Sequence, residues 1–270
     1  MHSISQLVYC YSLFLLILLL QISCEESLNN DGQCWQLDAS GNAEATKLGG
    51  FKGGKFESVA VDPRDDDHPV FYVTEDRSGG ALRRFIANGT GWQALHNDDG
   101  IIEFLHIVNE TSYEWTSNKA IGIASAREHH PNCEGIQFHE EKLYFLSKTT
   151  GKMFILDVAN MTYEVERIGK KFYGQGSFGV GYSQGDQVEY FGPSRKFMYF
   201  TEDGSRGDGV YARYTDGTYM TIFRAIKGGI HKWGETVGIA MSPDNKRLYA
   251  GYQTRGHIFE FTRKDGKIFE

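Results

Sequence analysis

Four acidic residues, Glu57, Glu134, Asp186 and Glu235, recur at comparable places along the chain. Each stands about ten to fifteen positions ahead of a short apolar run. Carboxylates brought to one place repel each other unless a cation compensates them, and an all-oxygen donor set suits Ca²⁺. The alternative for each is a solvated turn carboxylate near a strand end. A second constellation is the repeated Thr-Glu-Asp, at Thr74-Glu75-Asp76 and Thr201-Glu202-Asp203. Its carboxylates, Glu75, Asp76, Glu202 and Asp203, end apolar runs, where acidic side chains cap hairpins or bind metal. Arg77 and Arg206 follow closely, and a guanidinium there can grip an anionic group with two parallel hydrogen bonds. A turn with a surface ion pair is the competing reading, above all for Arg206.

Other residue patterns carry less. Asp65-Asp66-Asp67 reads as a solvated turn, and His129-His130 as loop residues. His139, His231 and His257 have no partner identifiable from the sequence. Gly174-Gln175-Gly176-Ser177-Phe178-Gly179 matches a dinucleotide-binding pattern, but no strand-then-helix context surrounds it. Gly181-Tyr182-Ser183-Gln184-Gly185 matches a nucleophile elbow, yet glycines precede it and a strand-like run follows.

These candidates need short strands to position them. The chain of 270 residues holds 32 Gly, 15 Tyr and 18 Phe against only 5 Pro, a balance suited to strands and tight turns. Apolar runs such as Val70-Phe71-Tyr72-Val73, Leu143-Tyr144-Phe145-Leu146 and Met153-Phe154-Ile155-Leu156 dominate, and no helical periodicity exceeds about two turns. Hairpin signals lie between them at Asp99-Gly100, Asp203-Gly204, Asp216-Gly217 and Asp265-Gly266.

An internal repeat decides among all-β architectures. Phe71-Tyr72-Val73-Thr74-Glu75-Asp76 returns as Met198-Tyr199-Phe200-Thr201-Glu202-Asp203, with weaker copies beginning at Leu143 and Leu248. The four acidic residues are 77, 52 and 49 positions apart. Propeller blades take roughly 40–50 residues, so the last two gaps hold one blade each. The first is expected to hold an additional degenerate blade around Ile102-Glu103-Phe104-Leu105-His106-Ile107. The expectation is an all-β propeller of five or six four-stranded blades over residues 51–270, with 25–50 closing it. The innermost strand of each blade lines the channel, so the four acidic residues would converge on one axial site.

With 28 Lys+Arg against 35 Asp+Glu, the net charge is −7 and a nucleic-acid partner is disfavoured. Residues 1–24 lack Lys, Arg, Asp and Glu, and the apolar run from Leu7 to Cys24 stops at Glu25-Glu26. This reads as a secretory signal cut near Ser23 or Cys24, placing the protein outside the cell or in the periplasm. An uncleaved, membrane-tethering anchor is the alternative; with cleavage no stable membrane insertion is expected. Cleavage leaves Cys34 and Cys133, which an oxidising compartment would allow to pair. Asn-x-Thr sequons at Asn88, Asn109 and Asn160 fit a secreted chain.

Phe56-Glu57-Ser58-Val59-Ala60-Val61-Asp62-Pro63 followed by Tyr72-Val73-Thr74-Glu75-Asp76-Arg77 resembles the opening signature of PhoX-type alkaline phosphatases. Glu235-Thr236-Val237-Gly238-Ile239-Ala240-Met241-Ser242-Pro243-Asp244 resembles its end, and Asn132-Cys133-Glu134-Gly135 is more loosely similar to its cysteine segment. The resemblance implies a six-bladed propeller, export, and a calcium–iron centre that hydrolyses phosphate monoesters. It implies Glu57, Glu134 and Glu235 as metal ligands and Cys133 as a thiolate on iron. Glu75, Asp76 and Arg77 would form the metal and phosphate rim. A monomer acting on a small phosphorylated substrate is expected. A calcium-dependent lactonase-like hydrolase and a non-catalytic, calcium-stabilised binding propeller remain the alternatives.

Overall fold

The protein is described from a computed structural model covering residues 20–24, 31–38, 42–65, 67–168, 185–190, 194–202, 209–224, 236–253 and 256–270. The chain divides into two compact units, Met1–Tyr144 with Ile155–Glu164, and Phe145–Phe154 with Val165–Glu270.

The described residues form five consecutive antiparallel meanders. The first holds β1 (Leu20–Cys24), β2 (Cys34–Asp38) and β3 (Thr46–Leu48). The second runs through β4 (Phe56–Asp62), β5 (Val70–Glu75), β6 (Arg83–Ala87), β7 (Gly100–Ile107) and β8 (Tyr113–Thr116). Helix α1 (Lys119–His129) leads to β9 (Cys133–His139), β10 (Lys142–Ser147), β11 (Lys152–Asp157) and β12 (Thr162–Arg167). This third sheet supplies residues to both units. In the second unit follow β13 (Gly185–Tyr190), β14 (Phe197–Glu202), β15 (Gly209–Tyr214) and β16 (Tyr219–Arg224), then β17 (Thr236–Met241), β18 (Arg247–Tyr252) and β19 (His257–Thr262).

The apolar runs become the middle strands. In β5, Phe71 and Val73 are fully buried, and Tyr72 is buried on the opposite face. A first core gathers Phe56, Phe71, Phe85 and Leu95 around Phe51, whose ring meets those of Phe56, Phe71 and Phe85 edge-on at 6.0, 6.5 and 5.9 Å. In the second unit Tyr199, Val210, Ile239, Leu248 and Phe269 form a comparable cluster. The Asp216-Gly217 signal makes the β15–β16 hairpin: Gly217 takes φ 80° and Asp216 Oδ1 accepts from Thr218 N–H at 2.9 Å.

Three expectations need correction. The segment Ile102–Ile107 is not a separate degenerate blade. It belongs to β7, and the long spacing to Glu134 is filled by a fifth strand and α1. The helix itself was hidden because it buries only the small residues Gly122, Ser125 and Ala126, which leave no apolar stripe in the sequence. Cys34 is disulfide-bonded, but Cys133 is a free, buried thiol and is not its partner. In the β1–β2 register Cys24 stands opposite Cys34. Of the apolar N-terminal run, only Leu20–Cys24 lies among the described residues.

Candidate metal centre

The site in the first unit starts from a defect in a ladder. β4 and β5 pair Phe56 with Glu75 and Val59 with Val73, so Glu57 and Ser58 together face Thr74. Such a bulge re-aims a side chain. Thr74 fixes it from both sides: its Oγ1 accepts from Ser58 N–H at 3.1 Å and donates to Ser58 O at 3.3 Å. Glu57 is half-buried at this point.

Strand β9 lies beside β4 and carries Glu134, which is 2% exposed. Carboxylate oxygens of Glu57 and Glu134 come within 4.8 Å of one another. Two oxygens at that separation could serve as donors to a hard cation.

The turn before β9 anchors the arrangement. Asn132 adopts φ 53°, a left-handed conformation that asparagine tolerates better than most side chains. From there its Nδ2 donates to Asp76 Oδ1 at 2.7 Å, and its backbone N–H donates to Arg77 O at 3.1 Å. The two ends of the first Thr-Glu-Asp-Arg segment and the Asn-Cys-Glu segment are thereby held together.

Glu75 has a different environment from the one its motif implies. It is fully buried and ion-paired with Arg83. Its other oxygen accepts from Arg77 Nε at 2.6 Å. Arg83 also donates to Phe51 O at 2.8 Å and lies over the Phe56 ring at 5.2 Å. Glu75 therefore ties Arg77 and Arg83 together. Arg77 keeps a side chain 33% exposed.

Cys133 sits next to Glu134 but is bound elsewhere. Its Sγ donates to His130 O at 3.1 Å, and His130 Nδ1 lies 3.3 Å away. Burial, reinforced by the Glu134 and Asp76 carboxylates, pushes the thiol well above its ordinary range. Burial, with His129 adding to it, lowers His130 to about 3. This is a protonated thiol beside a neutral imidazole.

In the second unit the repeat is visible inside its own sheet. β13 and β14 pair Gly185 with Glu202 and Val188 with Phe200, so Asp186 and Gln187 face Thr201 across a bulge. Thr201 Oγ1 accepts from Gln187 N–H at 3.0 Å, as Thr74 does from Ser58. Asp186 and Glu202 are buried. Glu235, Asp203 and Arg206 lie outside the described residues, as do His231 and the Gly174–Gly179 and Gly181–Gln184 segments.

From the sequence Arg83 carried no role, Asn132 entered only with the cysteine segment of the resemblance, and His130 was read as a loop residue. The sequence signal for Arg83 was an arginine directly after the apolar Ala81-Leu82; for Asn132 it was its place beside the cysteine. Elsewhere in the first unit a cavity of about 520 Å³ is lined by Lys47, Lys52, His96 and Asn97 among others, and it includes none of the site candidates.

No protein-family profile and no curated protein matches the chain. Solved structures do. The nidogen/laminin complex matches with TM-score 0.57 and 13% identity over 89% of this chain and 73% of that one. Pseudomonas fluorescens PhoX in complex with vanadate, a transition state analogue, matches with TM-score 0.58 and 15% identity over 87% of this chain. The fold is an all-β propeller. A 6-phosphogluconolactonase-like protein from Bacteroides uniformis matches with TM-score 0.51 and 14% identity over 93% of this chain and 81% of that one. The chain spans 58% of the PhoX chain. At these identities the propeller is what the likenesses share.

Proposed function

We propose that this propeller is an exported, metal-dependent hydrolase of small phosphate monoesters, working as a monomer. The observation that carries the reading is the approach of the Glu57 and Glu134 carboxylates to within 4.8 Å. Asp186, at the same bulge position of its own sheet, is presented there by the same device. The propeller shared with a vanadate-bound phosphatase supports the substrate class.

Calcium fits the donors, because every proposed ligand is a carboxylate oxygen. Cys133 does not join the clustered carboxylates and its Sγ donates to His130 O, so no step is derived through iron or a thiolate. When bound, the cation would neutralise charge on the phosphoryl oxygens. The protein's own groups then orient the substrate. Arg77, held at Nε by Glu75, offers a positioned positive charge to a phosphoryl oxygen. Asn132 fixes Asp76, the residue that this reading puts at the rim. In the overall reaction a water oxygen bonds to phosphorus, the ester P–O bond breaks, and the alcohol leaves carrying a proton.

One observation favours a second reading, a calcium-stabilised propeller without turnover. Glu75, a rim residue implied by the motif, is tied to two arginines. Hydrolysis of p-nitrophenyl phosphate by the secreted protein, with calcium and with a chelator, separates the two. Calcium-dependent turnover lost in Glu57→Gln supports the hydrolase. Stoichiometric calcium without turnover supports the second reading, and turnover indifferent to chelation overturns the site.

A further inference from the structure

Two of the three sequons meet in the folded chain. Asn109 lies in the turn between β7 and β8, and Asn160 in the turn between β11 and β12, both in the first unit. The turns are joined backbone to backbone. Ser112 bridges Thr162, Tyr113 N–H donates to Met161 O at 3.1 Å, and Tyr163 N–H donates to Thr111 O at 3.0 Å. Tyr163 Oη also donates to Asn109 O at 2.9 Å. Both asparagines and their threonines, Thr111 and Thr162, are exposed.

Each asparagine stands beside a large apolar side chain left in water. Val108, next to Asn109, is 51% exposed, and Met161, next to Asn160, is 37% exposed. Exposed apolar groups beside two joined turns add to the surface through which copies can associate. A hydrophilic oligosaccharide on each asparagine would cover both.

We propose that Asn109 and Asn160 carry N-linked glycans that shield this joined pair of turns; the proposal rests on the export reading. In the transfer, Nδ2 forms a bond to the anomeric carbon of an oligosaccharide held on a lipid pyrophosphate. The anomeric C–O bond breaks, the lipid pyrophosphate leaves with the electron pair, and one amide proton passes to a base of the transferase. The folded turns tolerate the product. Asn109 holds its turn through Oδ1, which accepts from Thr111 and Ser112 N–H at 3.0 Å each. Asn160 uses Nδ2 once, to Asp157 Oδ2 at 2.9 Å, and a glycosylated amide retains one N–H.

The test is expression of the full chain in a eukaryotic secretory host, with peptide mapping before and after enzymatic removal of N-glycans. The expected result is protein in the medium or membrane fraction with glycans at both positions. Thr111→Ala and Thr162→Ala should each remove one glycan. Thr111→Ser, which keeps the sequon, should retain it. The doubly unglycosylated protein should show at least a twofold rise in light scattering at matched concentration. Exported protein with unmodified Asn109 and Asn160 overturns the proposal alone. Cytosolic protein with an intact N-terminus overturns export and the modification with it.

Discussion

Arg83 on β6 and Glu75 on the adjacent β5 form an ion pair with the carboxylate fully buried and the guanidinium side chain 6% exposed. Removing one partner of such a pair leaves an uncompensated charge in the interior, which costs about 3–5 kcal/mol. Glu75→Gln is therefore expected to lower unfolding free energy by about that amount in chemical denaturation. A loss below about 1 kcal/mol would show the pair to be solvated in practice.

Thr74 holds the bulge that aims Glu57. Thr74→Ala should weaken calcium binding about tenfold, equivalent to about 1.4 kcal/mol, with Thr74→Ser restoring it. Isothermal titration with calcium reads this directly. Equal affinity in the alanine variant would mean the bulge does not control the ligand.

Calcium should stabilise the folded chain by mass action. At a free concentration of 100 times Kd the gain is about 2.7 kcal/mol, visible as a rise in thermal midpoint that a chelator reverses. Glu134→Gln should abolish the rise. A midpoint unchanged by calcium would sink the site.

His130 is held neutral by burial, its folded pKa of about 3 standing below the ordinary 6.5. Folding thus favours the unprotonated ring. Its contribution is complete above about pH 6.5 and is lost as pH falls toward about 3, at no more than about 1.4 kcal/mol per pH unit. Denaturation curves between pH 7 and pH 4 should steepen this way in the native chain and flatten in His130→Gln.

Gly122 in α1 allows the helix to approach β7: a Cβ there would lie 2.4 Å from Phe104 Cβ. Gly122→Ala should destabilise by about 1–3 kcal/mol, although alanine raises helix propensity by about 1 kcal/mol. A stabilised variant in thermal melts would show that β7 and α1 can separate at little cost.

The propeller was legible because its middle strands are apolar runs repeated at blade spacing. The extra strand β8 and α1 were not, since Tyr113–Thr116 is short and α1 packs through glycine, serine and alanine. Glu57 and Glu134 could be singled out as a repeated residue type ahead of each run, and the structure brings that pair together. The surroundings of Glu75 were not legible, because the sequence shows Arg77 two positions away but not Arg83, which reaches Glu75 only through strand pairing. The Cys34–Cys133 expectation came from counting cysteines, and a count carries no geometry.

The threonine-clasped bulge occurs in β4–β5 and again in β13–β14, each time with an acidic residue at the irregular position. A hairpin of this kind is a portable cassette. It carries the acidic residue and the device that aims it within about twenty residues of contiguous chain, so duplicating the hairpin duplicates a carboxylate presented in the same way. A lineage built by blade duplication could add or discard coordinating groups one blade at a time without redesigning the core. On that account, variation in metal affinity among such chains should follow changes at the threonine as closely as changes at the acid.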